Sequence, residues 1–277
     1  TLIDQPLLSW YDHSWIMMRN PLIQAIVADS AVAPQQRRSA GVSSLQRSFY
    51  GRVEPPQLRY RRMLQQECEG AKSILDIGCG YDAPDLERVG SNAHIKIGVD
   101  LITKFRPDEA PSVKFVRANA GCLPFCDSSF DLVISKSVVE HLGEPSRVFG
   151  EVSRVLRPGG RFVFLTANWF DYVSLFAAVI PNRWHPRIVR FLTGRNEADT
   201  FPTYYRANTT NRIMQFCNRA GLEIDWIRLL REDPGYLRFS TLTYALSVLY
   251  EQTAARFVRQ LRPWILCVCT HNPIPKT

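Results

Sequence analysis

"SILDIGCGYDAP", residues 73–84, is a short apolar run that reaches an acid and then breaks into glycine. "SILDI" (73–77) is apolar, partly β-branched and closed by turn residues, so it reads as a strand. The loop that follows, Gly78 to Ala83, satisfies the spacing G-x-G-x-x-A, with Asp82 at the place of a third glycine. Asp100 comes about twenty residues later, at the end of the strand pattern "HIKIGVD" (94–100). Glycines there permit a tight turn and a close backbone approach to a ligand. The acid after the second strand can accept hydrogen bonds from both hydroxyls of a ribose, and Pro84 can open the helix beyond the loop.

Outward from this loop the pattern alternates strand and helix. "VKFVR" (113–117), "FDLVIS" (130–135) and "RFVFLT" (161–166) continue the strands. Between the last two, "EPSRVFGEVSRVL" carries Pro145 early and Val148, Val152, Val155 and Leu156 at helical spacing, and is expected to stop at Pro158-Gly159-Gly160. "NRIMQFCNRAG" (211–221) is a further helix, "LEIDWIRLL" (222–230) a sixth strand and "PWILCVCTH" (263–271) a seventh. Such alternation implies a parallel sheet covered by helices on both faces. Residues 1–70 form a separate, aromatic-rich helical region with Trp10, Tyr11 and Trp15, expected to cap the substrate side. The main domain then runs over 71–277, with an insertion at about 169–206 after the fifth strand and a helical excursion at about 236–263. Additions at the carboxyl edge of such a sheet shape the substrate pocket.

Composition bounds the function classes. The 277 residues are 45% apolar, enough for one sizeable core with attachments. No apolar run approaches a membrane span, and "YVSLFAAVI" (172–180) is about half of one. "TLIDQPLLSWYDHSW" has no basic region ahead of an apolar core, which is the pattern of a secretory leader. The seven cysteines (68, 79, 122, 126, 217, 267 and 269) lack paired metal or disulfide spacing and read as reduced thiols of a cytoplasmic protein. The five histidines stand apart from acids at ligand spacing, so no metal is expected. A net charge of +8, carried mostly by arginine, suits an anionic substrate, an anionic lipid surface or nucleic acid, or reflects a solvated surface.

Charge at the loop separates the candidate ligands. A dinucleotide would set its negative pyrophosphate against Asp76 and Asp82, which repel it in a partly dry cleft. S-adenosylmethionine instead brings an ammonium and a sulfonium, for which both acids are attractive. A structural alternative is that Asp76 only caps the turn.

Taken in order and in register, "ILDIGCG", "IGVDL", "LPFCDSSFDLVISKSVVEHL" and "VSRVLRPGGRFVF" resemble the class I S-adenosylmethionine-dependent methyltransferases, most of all the methyltransferase type 11 kind that act on small molecules. The resemblance spans residues 73–166. It implies a seven-stranded, Rossmann-like, doubly wound sheet, mostly parallel with the last strand antiparallel. It implies that Asp76, Gly78 and Gly80 hold the methionine end, that Asp100 takes the ribose, and that Leu101 lies beside the adenine. Asn119, with Ala120, stands where the family often has an acid for the adenine amine; its amide oxygen can accept and its NH2 donate. Ser135, ending the fourth strand, would offer its backbone oxygen to the methionine ammonium.

For the chemistry, His141 in "VVEHL" is the best-placed general base, since imidazole titrates near neutrality; Glu140 is the alternative. The strand end "SKSV" lacks the Asn/Asp-Pro-Pro-aromatic signature of exocyclic-amine methylation, and no Pro-Cys nucleophile is present. Nucleic acid is therefore not the expected acceptor. In "RWHPRIVRFLTGRNEADTFPTYYRANT" (183–209), His185, Arg187, Tyr204, Tyr205 and Arg206 suit a sugar ring by stacking and a phosphate by arginine forks, unless the aromatics only tie the insertion down. The expected reaction is O-methylation of a saccharide, lipid-linked sugar or secondary metabolite, with S-adenosylhomocysteine as by-product. The alternatives are an NAD-dependent oxidoreductase, a non-catalytic cofactor-binding regulatory module, and RNA methylation. Finally, residues 237–264 carry Leu242, Leu246, Leu249, Tyr250, Phe257 and Leu261 near one helical face, followed by arginines. Such a helix faces the core, pairs with a second subunit in a homodimer, or makes peripheral contact with the inner membrane face.

Overall fold

A computed structural model describes residues 40–89, 92–102, 104–170, 203–234, 238 and 240–272. The expected strand and helix alternation is present. Helices α1 (Ala40–Tyr50) and α2 (Pro56–Glu67) precede β1 (Ser73–Ile77), α3 (Pro84–Arg88), β2 (Ile95–Asp100), β3 (Lys114–Arg117) and β4 (Phe130–Lys136). Then come α4 (Pro145–Val155), β5 (Leu156–Ala167), α5 (Thr210–Arg219), β6 (Leu222–Leu230), α6 (Thr241–Gln252), α7 (Ala254–Phe257) and β7 (Trp264–His271).

These strands form one sheet in the order β3-β2-β1-β4-β5-β7-β6, parallel throughout except for β7, which runs antiparallel to both β5 and β6. β1 is buried along its whole length because helices cover both faces at the sheet centre. On one face, Leu75 and Ile77 join Val148, Phe149 and Val152 of α4 and Ile213 of α5. On the other, Ile74 meets Tyr60 and Leu64 of α2 and Leu86 of α3. Asp76 shares a strand face with Ile74 by the two-residue period and so points to the α2 and α3 side. The chain crosses from one side of β1 to the other between β3 and β4, so a crevice opens at the carboxyl ends of β1 and β4.

One local expectation differs from the structure. α4 ends at Val155, and Leu156 is already extended. Pro158-Gly159-Gly160 therefore does not stop the helix but lies inside β5, beside a register shift between Phe130 and Leu132. Gly160 is required there, since a Cβ would come within 2.8 Å of the Arg157 carbonyl oxygen. Of the expected cap over 1–70, the part from residue 40 onward is helical: α2 carries Tyr60 and Leu64 into the core, and α1 packs through Val42 and Tyr50 on Tyr244 and Val248 of α6. Among the described residues no helix is long and apolar enough to cross a membrane.

Candidate functional site

The loop after β1 is shaped by its glycines. Gly78 has φ +78°, and a Cβ there would fall 2.0 Å from Cγ2 of Val138, so only glycine fits. Its N–H and that of Cys79 donate to the Val99 carbonyl, at 2.8 and 3.2 Å, tying the loop to the end of β2. Gly80, at φ +70°, differs: a Cβ there would meet nothing within 4 Å. The space above Gly80 is open, as a cradle for a ligand needs to be. Its N–H donates to Oδ2 of Asp100 at 2.9 Å, while Oδ1 of Asp100 accepts from the N–H groups of Leu101 and Ile102. These bonds fix the carboxylate in position at the end of β2, and Oδ2 keeps a lone pair for a ribose hydroxyl. Leu101 beside it is half exposed, an unpartnered apolar side chain where a flat base would pack.

Asp76 is 5% exposed. Burial, then Asp85 and Asp100, push its carboxyl well above the ordinary carboxylate range, and Lys136 opposes them. A set of charges not foreseen from sequence lies behind it. Asp85 is buried at the start of α3, where it accepts from Nε of Arg61 at 3.2 Å and from Nζ of Lys136 at the end of β4. Arg61, Asp85 and Lys136 thus clamp α2, α3 and β4 together behind the loop. The clue available in the sequence was a single lysine directly after the fourth strand, in a chain where arginine is the usual cation.

The remaining candidates for cofactor binding lie near the ends of β3 and β4. Ser135 does not end its strand, which runs on to Lys136; its Oγ donates to the Ile77 carbonyl at 3.0 Å and joins the ends of β1 and β4. Asn119 turns its amide oxygen back to the N–H of Gly121 at 2.8 Å, so the group left for an adenine is chiefly the Nδ2 donor. Ala120 is half-buried next to it.

His141 and Glu140 share a single 3-10 turn, Val139–His141, beyond β4. His141 is half-buried at the crevice. Glu140 is fully buried, and this removes it as a base that could reach an acceptor. Its Oε2 accepts from Thr166 Oγ1 at 2.6 Å, Thr166 Oγ1 accepts from Asn208 Nδ2 at 2.8 Å, and burial raises the Glu140 carboxyl. The Glu140 backbone oxygen also accepts from the N–H groups of Tyr204 and Tyr205, at 2.8 and 3.1 Å. Glu140 therefore ties the His141 turn to β5 and to the returning insertion.

That return segment divides the substrate candidates. Tyr204 is half-buried beside Gly143, and Arg206 lies over its ring while donating to the Gly143 carbonyl at 2.6 Å, so both border the His141 turn. Tyr205 is buried against the ring of Trp169 at φ +50°, which makes it a packing residue and not a ligand contact. His185 and Arg187 lie outside the described residues. Among the described residues no group of His, Cys, Asp or Glu could hold a metal ion.

A doubly wound seven-stranded sheet with an acid-lined glycine loop at its switch point resembles the domain of the class I, S-adenosylmethionine-dependent methyltransferases. Comparison with known proteins agrees: residues 75–164 match the Methyltransf_11 family model, described as a methyltransferase domain. An arsenite methyltransferase of Halobacterium salinarum is 40% identical over 119 residues, 38% of this chain and 30% of that protein. The 27-O-demethylrifamycin SV methyltransferase of Amycolatopsis mediterranei is 33% identical over 97 residues, 32% of this chain and 36% of that protein. The chain thus spans about a third of the length of these curated relatives. Its fold is similar to that of an S-adenosylmethionine-dependent methyltransferase from Listeria monocytogenes, with TM-score 0.53 at 14% identity over 78% of this chain and 97% of that one.

Proposed function

We propose that this chain transfers the methyl group of S-adenosylmethionine to a hydroxyl of a small molecule, with a saccharide, lipid-linked sugar or secondary metabolite as acceptor. The observation that carries the reading is the set of acids around an open glycine loop: Asp76 buried beneath it, Asp82 within it, and Asp100 bonded to Gly80. A pyrophosphate would meet the carboxylates of Asp82 and Asp100 and push the buried Asp76 further toward its neutral form, whereas an ammonium and a sulfonium would meet complementary groups and favour the ionised form of Asp76. When bound, S-adenosylmethionine supplies an electrophilic methyl carbon on a positively charged sulfur.

The residues of the chain do the rest. Asp100 anchors the ribose, Leu101 packs on the base, and Asn119 donates to the ring edge. Asp76, buried and pushed toward its neutral form, ionises more readily when a cation lies next to it. His141 takes the proton from the acceptor hydroxyl as the oxygen attacks, a role in which a positioned base contributes about 10²–10⁴-fold. Glu140 holds that turn, and Tyr204 and Arg206 border the side from which an acceptor enters.

The printed name of the Amycolatopsis relative describes methylation at an oxygen, which supports an oxygen acceptor here. Incubation with methyl-labelled S-adenosylmethionine and a panel of sugar nucleotides, lipid-linked sugars and hydroxylated metabolites tests the reading. Label entering a hydroxyl of one class supports it; label only in amines, or turnover of nicotinamide cofactor instead, rejects it.

A further inference from the structure

α6 is amphipathic in an unusual sense: both of its long faces carry apolar residues. The inner face is settled by contacts. Tyr244 and Val248 pack on Val42 and Tyr50 of α1, and Glu251 is fully buried, accepting from Nε of Arg231 at 3.3 Å. That orientation leaves Leu242, Leu246 and Leu249 in a stripe on the outside, at 69%, 58% and 58% exposure. The leucines singled out from sequence therefore do not face the core. Just beyond, Phe257 is 82% exposed and Val258 is exposed with it. Single exposed leucines are ordinary, but three along one face of α6, followed by two more exposed apolar side chains at and just beyond the end of α7, need a partner.

Charge says which partner. From Thr241 to Arg262 the only acid is Glu251, and it is inside the protein and paired. Arg256 and Arg259 are exposed on either side of Phe257 and Val258. Burial together with neighbouring Arg259 and Arg231 lowers the Arg262 guanidinium, a sign of a local excess of positive charge. A second copy docking on this face through the same residues would bring arginines toward arginines with no exposed acid among them to receive them. A bilayer surface supplies what is missing, apolar chains for the leucines and phenylalanine and phosphate for the guanidiniums.

We propose that the outer face of α6, continued through Phe257, Val258, Arg256 and Arg259, is a docking surface for an anionic phospholipid bilayer. It would hold the enzyme at the membrane, where an acceptor carried on a lipid is found, but it does not depend on the methyl-transfer reading.

The test is flotation of the full chain with vesicles of phosphatidylcholine alone and of phosphatidylcholine mixed with phosphatidylglycerol. Binding is expected to the mixed vesicles, little to the neutral ones, and less as salt is raised. L246E combined with F257E is expected to weaken binding about tenfold or more. R256Q and R259Q should each cost about fivefold on the anionic vesicles. S-adenosylhomocysteine binding, measured on the same variants, should be unchanged, because these side chains lie outside the crevice; this separates failure of docking from failure of the methyltransferase reading. Absence of binding to phosphatidylglycerol vesicles, or equal binding by wild type and variants, overturns the proposal. So does a concentration-dependent dimer in light scattering that the leucine and phenylalanine substitutions abolish, which would make a second copy the occupant.

Discussion

Replacing Asp76 by Asn separates what the acid costs the fold from what it gives the ligand. In the free protein the carboxyl is buried beside Asp85 and Asp100 and pushed well above the ordinary range, with only Lys136 opposing the shift. A carboxyl raised in this way binds a proton more tightly folded than unfolded. Its contribution therefore lowers stability as pH rises from the unfolded-state value toward the raised folded one. Asn removes that burden, so D76N should be at least as stable as wild type in urea unfolding, with the difference in its favour widening as pH rises through that window. Cofactor binding should move the opposite way. Losing one charge-assisted contact, worth about 1.5–3 kcal/mol, weakens S-adenosylmethionine roughly 10- to 100-fold in calorimetry. The wild type should also bind it more tightly as pH rises, since the cation needs the ionised carboxylate, and D76N should lose that part of the dependence. A clear destabilisation of D76N together with unchanged affinity would mean that Asp76 is a structural cap of the turn and that the charge reasoning is wrong.

Other outcomes follow from single distances and burial. Gly78→Ala forces a φ of +78° on a residue with a Cβ and drives it into Val138, so urea unfolding should show a loss of about 2–4 kcal/mol. H141A should cut turnover about 100-fold or more in single-turnover assays while leaving S-adenosylhomocysteine affinity unchanged. E140Q keeps an acceptor for Thr166 and should leave the turnover close to wild type, whereas E140A leaves the buried Thr166 hydroxyl without its acceptor and should cost about 1–3 kcal/mol of stability. Cys122 and Cys126 are exposed and should be alkylated first in a mass-spectrometric time course. Cys217, Cys267 and Cys269 converge in the core with sulfur distances of 3.5 and 3.6 Å and raised thiols, and should react only on unfolding.

Much of the sheet was legible because its strands are short apolar runs bounded by turns, and two of them, Ser73–Ile77 and Leu222–Leu230, begin and end where the pattern does. The loop was legible for a related reason: glycine spacing and the acid at position 100 are local features, and Gly80 donating to Asp100 joins two residues the motif already pairs. What escaped was set by contacts far apart in the chain. The clamp of Arg61, Asp85 and Lys136 unites three elements that no window of sequence contains. Helical spacing identified the leucines of α6 but could not say that Tyr244 and Val248 would be the side taken by α1. Glu140 stood as the alternative base to His141 because adjacent residues in a tight turn face different surroundings, and only the packing of Thr166 and Asn208 shows which one is enclosed. Tyr205 could equally stack on a sugar or tie the insertion down, and only its ring against Trp169 favours the second.

Calorimetric titration of the purified chain with S-adenosylhomocysteine, with NAD in a parallel cell, tests the central claim most directly. The acid-lined loop predicts micromolar binding of S-adenosylhomocysteine and no binding of NAD. Heat from NAD alone would contradict it and would show that the glycine loop accepts a pyrophosphate despite Asp76, Asp82 and Asp100.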